Sequence, residues 1–200
     1  AVDAGHLGQV RDLKIVRNSW SPGTMTWGTE RWRPQWRSEK AYGGGLLFDW
    51  GGHLIDQALL LHGEPILSVY NELFFNDMYP GQDADDGFRM LITFADGARA
   101  HVEVQTGTLA PMDTGGWIVS GTEGGHVPGK LRIKTGSEVE ERSWHVPVEP
   151  LAFWENFRDV VTDGVPQAVP VAESVRVMRI IDAAFQSAAT GRPIVFPEPV

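Results

Sequence analysis

Cysteine is absent from the 200 residues, which excludes disulfides and thiolate-ligated metals but constrains the compartment only loosely. Basic residues are in deficit: 17 Lys and Arg stand against 26 Asp and Glu, a formal net charge of −9. Nucleic acid and anionic membrane surfaces both demand concentrated positive charge, so neither is an expected partner. Long apolar runs are missing too. The longest, Leu46 to Leu61, is broken by Asp49, His53 and Asp56 and is not a membrane span. With no signal-peptide pattern at the start, a soluble, cytoplasmic protein is the expectation. No G-x-G-x-x-G opens a strand–turn–helix, so the chain carries no dinucleotide fingerprint. GTEGGHVPGKL (121–131) spaces Gly124 and Lys130 like a phosphate-binding loop, but Leu131 stands where Ser or Thr should hold magnesium. A strand pattern also follows where a helix is needed, so the motif is rejected.

What is present is ordinary for a folded domain: 42% hydrophobic and 22% charged residues, in a length suited to one domain. Tryptophan is abundant. Four of the eight, Trp20, Trp27, Trp32 and Trp36, fall in one segment. That segment, 17–45, has no sustained period and reads as a long irregular loop, a feature that in compact domains usually carries function.

Elsewhere the period is informative. Strands are predicted at 8–17, 65–75, 87–94, 98–106, 116–122, 130–135 and 139–146. Asp96-Gly97 is a strong hairpin turn. In 98–106, Ala100, Val102 and Val104 point one way and Arg99, His101, Glu103 and Gln105 the other. Helices are predicted over the run up to Gly63, over 151–164 with Phe153, Trp154, Phe157, Val160 and Val161 on one face, and over 170–193. A last strand, 193–196, can return to the sheet. The expected fold is α+β: a largely antiparallel open sheet, helices packed on one face, the other face available for oligomerisation, and no Rossmann domain in this chain.

The first helical stretch, GGGLLFDWGGHLIDQALLLHG (43–63), carries the chemistry. At about 100° per residue Asp49, His53 and Asp56 share one narrow stripe, opposite Leu47, Leu54, Ile55, Ala58 and Leu61. The stripe is either a solvated face or a site. Two adjacent glycines, each costing about 1 kcal/mol inside a helix, favour a site: Gly51 permits close packing and Gly52 leaves room for a ligand. Asp49 lies within reach of His53 at i+4; a carboxylate there orients the imidazole and raises its basicity, as a general base requires. One stripe of a helix is a poor metal site, and none is expected. Arg31, Arg33, Arg37 and Lys40, interleaved with the loop tryptophans, suit either a polar-substrate pocket wall or anchorage of the loop. Asp83, Asp85 and Asp86 read as a solvated turn, and His62, His101, His126 and His145 as incidental.

The D-x-G-x-H-x-x-D pattern at Asp49, Gly51, His53 and Asp56 resembles the C-terminal domain of the glucose-fructose oxidoreductase / inositol dehydrogenase / rhizopine catabolism (Gfo/Idh/MocA) family. GHLGQV (5–10), WRSEKAYGGG (36–45), GTEGG (121–125) and IIDAAFQSAATGRPIVF (180–196) support it in the right order. The resemblance implies the substrate-binding and oligomerisation domain of a two-domain oxidoreductase using NAD or NADP on a sugar, polyol or related hydroxyl compound. His53 would exchange a proton with the substrate, assisted by Asp49, with Asp56, Trp36, Arg37 and Arg33 as substrate-binding candidates. The N-terminal Rossmann domain and its lysine segment are not in these residues. The expectation is therefore a single domain over 1–200, a piece of a longer protein, inactive alone and without tight cofactor binding. A homo-oligomer through the sheet face is expected. The alternative is a non-catalytic oligomerisation or ligand-binding module that kept the fold.

Overall fold

Period-two patterning becomes nine strands in one sheet. They are β1 (Val10–Asn18), β2 (Ile66–Phe74), β3 (Gly87–Phe94), β4 (Arg99–Gln105), β5 (Ile118–Gly121), β6 (Gly124–Val127), β7 (Lys130–Thr135), β8 (Glu138–Ser143) and β9 (Ile194–Val195). The spatial order is β8-β7-β6-β5-β1-β4-β3-β2-β9. Among the described residues every ladder is antiparallel except β1 with β4. The computed structural model describes residues 2, 4–20, 36–75, 81–110, 112–145 and 151–200.

The alternation in β4 holds: Ala100, Val102 and Val104 are buried while Arg99 and His101 are exposed. The inward positions of β1, β2 and β3 join them: Leu13, Ile15, Val69, Phe88, Met90 and Ile92. Over this face lie α1 (Gly52–Leu61) and α3 (Val171–Thr190). The arc predicted for α1 is the buried one, through Leu54, Ile55 and Ala58, and α3 contributes Val177, Ile180, Ile181 and Ala184. Beyond the short β9 pairing, the Asn71 N–H of β2 donates to Ser187 Oγ of α3 at 2.9 Å, so the strand's edge is closed by a side chain.

The open face is a charge ladder. Arg89 Nε donates to Glu103 at 2.8 Å, Asn18 Nδ2 donates to the same carboxylate at 2.6 Å, and Tyr70 donates to Glu72 at 3.1 Å.

The α+β sheet is as expected, with two departures. β6 falls in the glycine-rich 121–131 stretch, where GGHV offers no alternation to read; it is defined by its ladders to β5 and β7. The second departure is α2 (Ala152–Asp163), which buries no residue. Its predicted apolar stripe is in the open, with Phe153 65% and Trp154 63% exposed. No helix among the described residues is long and apolar enough to cross a membrane.

Candidate functional site

The site is assembled where the irregular segment meets α1. Two single 3-10 turns, Trp36–Ser38 and Lys40–Tyr42, lead into the three glycines. The Gly45 N–H donates to the Arg37 carbonyl at 2.8 Å and the Gly44 N–H to the Glu39 carbonyl at 3.0 Å, folding the chain back on itself. Gly45 has φ +114°, a conformation that side chains other than hydrogen resist. Any Cβ there would also overlap the carboxylate of Asp85.

Between this turn and α1 the backbone forms a π-helical turn, Leu47–Gly51, with its i→i+5 spacing. The two glycines flank its junction with α1. A Cβ on Gly51 would meet Leu47 Cδ1 at 3.0 Å and the Phe88 ring at 3.7 Å; one on Gly52 would meet only Ile181 Cδ1 of α3, at 3.9 Å. Gly51 thus serves close packing, as expected. Gly52 faces the C-terminal helix rather than a ligand space.

The wide turn also divides the predicted stripe, because it rotates the residues before it relative to those after it. Among the described residues no hydrogen bond or ion pair joins Asp49 to His53. Asp49 Oδ1 instead stands 3.7 Å from Arg37 Nε, and both side chains are largely buried. His53 is exposed. Asp56 lines a different cleft of about 230 Å³, beside Glu173 and Arg176 of α3.

Arg37 and Trp36 do come together with Asp49. The guanidinium lies 4.1 Å from the Trp36 ring centroid, a cation–π stack. These three side chains, with Phe48 and the three glycines, line a cleft of about 190 Å³. Arg37 Nε is buried and has no hydrogen-bond partner, so a donor is unspent beside a carboxylate. Arg33, Arg31, Trp27 and Trp32 lie outside the described residues. On the far side of Phe48 a larger cavity, about 510 Å³, is walled by Phe75, Phe185, Lys40 and Asp85.

Two sequence expectations are corrected. Asp85 and Asp86 are not a solvated turn; they are 2% and 0% exposed. The carbonyl of Asp85 accepts the Leu46 N–H at 3.1 Å and its Oδ2 accepts the Leu47 N–H at 2.9 Å. Burial pushes the Asp85 carboxyl up to about 6, against the pull of these backbone donors. No local pattern announces this, because its partners lie 38 residues away. His62 is not incidental either: it is buried and its Nε2 meets Asp96 at 3.2 Å, tying the end of α1 to the β3–β4 hairpin.

A family model described as the GFO/IDH/MocA C-terminal domain matches residues 1–127. An uncharacterised oxidoreductase of Escherichia coli, YdgJ, is 24% identical over 191 residues, 80% of this chain and 54% of its own length. The scyllo-inositol 2-dehydrogenase (NADP(+)) IolW of Bacillus subtilis is 22% identical over 224 residues, 97% of this chain and 59% of its own. The crystal structure of an NAD-binding protein from Listeria innocua superposes with a TM-score of 0.79 at 28% identity, covering 96% of this chain and 57% of that one. The chain thus spans under two thirds of the length of these relatives.

Proposed function

The chain belongs to the GFO/IDH/MocA C-terminal domain family, and on that premise we propose that it is the substrate-side domain of an NAD(P)-dependent oxidoreductase acting on a sugar, polyol or related hydroxyl compound. The observation that carries this reading is the Trp36–Arg37–Asp49 cleft, in which a buried guanidinium nitrogen without a hydrogen bond stands 3.7 Å from a carboxylate. A guanidinium and a carboxylate lining one cleft suit a polyhydroxylated ligand, while the indole supports the apolar face of a ring. The names of the relatives, one of them an inositol dehydrogenase using NADP, favour the same substrate class.

The glycine-rich 121–131 stretch is built into β6 and β7, whereas a pyrophosphate cradle needs a glycine turn entering a helix. In this reading a separate nucleotide-binding domain holds the nicotinamide, which supplies hydride transfer when bound. This domain's part is to bind and orient hydroxyls and to move a proton. His53, exposed and one turn beyond Asp49, takes the proton of the reacting hydroxyl, and Asp49 with Arg37 holds the substrate in place. Asp56, in its own cleft, is a supporting residue at most. A homo-oligomer through the open sheet face is part of the same proposal, supported by the uncovered charge ladder of Arg89, Glu103 and Glu72.

The test is His53→Ala in the complete two-domain protein, assayed with NAD and NADP against inositols and aldoses. Loss of a general base should lower kcat by about 10²- to 10⁴-fold. Turnover equal to wild type would sink the catalytic assignment and favour a ligand-binding or oligomerisation module. The 200 residues alone are expected to show neither dehydrogenase activity nor calorimetric binding of NAD(P).

A further inference from the structure

The start of the site-bearing helix lacks a cap of its own. Leu46 occupies the N-cap position and offers no side-chain hydrogen bond, although the first N–H groups of a helix need acceptors. The acceptors come from a segment 38 residues downstream. Asp85 gives its carbonyl to Leu46 and its Oδ2 to Leu47. Its neighbours hold the approach to the site in the same way: Asp83 Oδ1 accepts the Lys40 N–H at 2.8 Å, and the Ser38 carbonyl accepts the Asp83 and Ala84 N–H groups, both at 3.2 Å. On its other side this strap is fixed to the sheet. The Asp86 N–H donates to the Phe74 carbonyl at 3.0 Å, and the Asp86 carbonyl accepts both the N–H and the hydroxyl of Thr106, each at 3.0 Å.

We infer that Asp85 is the positioning residue of the candidate site, fixing the π-helical turn on the sheet and thereby the place of Asp49 beside Arg37. Gly45 is the complementary part, since a side chain there would displace the carboxylate. The inference rests on the reading of the Trp36–Arg37–Asp49 cleft as the working site. It does not depend on whether His53 moves a proton.

A carboxylate that accepts a backbone N–H does so more strongly charged than neutral. The groups around Asp85 decide when it is charged. Burial disfavours the charge, Asp86 beside it adds repulsion, and the N–H groups of Leu46 and Leu47 favour it. Lys40 shares the cavity that Asp85 lines, and Asp83 is engaged with the Lys40 backbone. Burial outweighs the donors, so the seated carboxyl keeps its proton more tightly than a solvated one, and the turn is held more firmly below pH 6 than above it.

Amide exchange of the ¹⁵N-labelled chain tests this between pH 4 and 7, with Leu54 and Ile55 as references inside the same helix. The Leu47 protection factor relative to theirs should fall by about fivefold or more as pH rises from 4 to 6, because the opened turn releases the carboxyl proton first. The ¹⁵N shift of Asp49 should move with the same midpoint. Asp85→Asn, which keeps an acceptor oxygen but no charge, should show the low-pH protection at every pH and no Asp49 transition. A flat wild-type profile, or the same transition in Asp85→Asn, overturns the inference; if that variant does not fold, the wild-type profile decides alone. Because no turnover is read, this outcome is separate from that of His53→Ala.

Discussion

Helices α1 and α2 are both amphipathic in sequence and meet opposite fates. α1 is fixed at every level: Leu54, Ile55 and Ala58 are buried on the sheet, the π-helical turn that leads into it is capped by Asp85, and its end is tied through His62 to Asp96. α2 has an apolar stripe at least as pronounced, yet Phe153, Trp154, Phe157 and Val161 stand in solvent. Its polar contacts stay nearby, with Asn156 bonding Pro166 and Ala168. The contrast teaches that amphipathicity states that a face requires cover; it does not say which surface supplies it. Isolated helices of about a dozen residues are marginal in water; α1 is held by burial on the sheet, whereas α2 buries no residue.

Five substitutions, in four comparisons, break or sharpen this contrast. The largest effect is expected at Phe88, fully buried beneath Gly51: Phe88→Ala should cost about 3–5 kcal/mol in urea unfolding and release the π-helical turn with it.

Asp85 comes next. Its folded pKa, about 6, lies above the ordinary value of 3.8. The folded state therefore binds the proton more readily, and stability is greatest below the unfolded value and lost as pH rises through 6. The loss is on the order of 3 kcal/mol. Asp85→Asn should be free of it, so the stability difference between the two proteins should grow from pH 4 to 6 and stay constant above. A difference that does not change with pH would show that the carboxyl is not titrating in that window.

The third comparison sets two glycines of one motif against each other. Gly45→Ala combines a φ of +114° with overlap on Asp85 and should cost about 1–3 kcal/mol. Gly52→Ala has ordinary space and should gain up to about 1 kcal/mol from helix propensity. Equal effects at the two positions would mean that the glycines serve the turn in general and not the Asp85 contact.

The smallest effect belongs to α2. Phe157→Ser should change the stability of this chain by no more than about 0.5 kcal/mol, while reducing its binding of apolar dyes. A loss comparable to that at Phe88 would place α2 inside the same cooperative unit as α1.

Much of the fold was legible because its cause is local. In β4 the period of two follows from strand geometry, and in α1 the buried arc follows from the helical period. β6 was not legible, since Gly124 and Gly125 carry no alternating side chains. Of the site, Asp49, Trp36 and Arg37 were legible as residue types with the right chemistry, but their meeting was not. The expected Asp49–His53 contact assumed an unbroken α-helix; the π-helical turn gave Asp49 to Arg37 instead. Asp85 and Asp86 were misread because charge density in a sequence points to solvent by default, and only distant backbone donors can override it.

The sequence alone therefore determined most of the elements, the inward faces of the sheet and of α1, and the family, because these depend on periods and motifs within a few residues. Tertiary structure alone decided which amide found which acceptor and which face was covered: Leu47 reaching Asp85, Asp49 facing Arg37, and the stripe of α2 left exposed. Hydrogen bonds and burial are satisfied in space, between residues whose separation along the chain carries no trace of their contact.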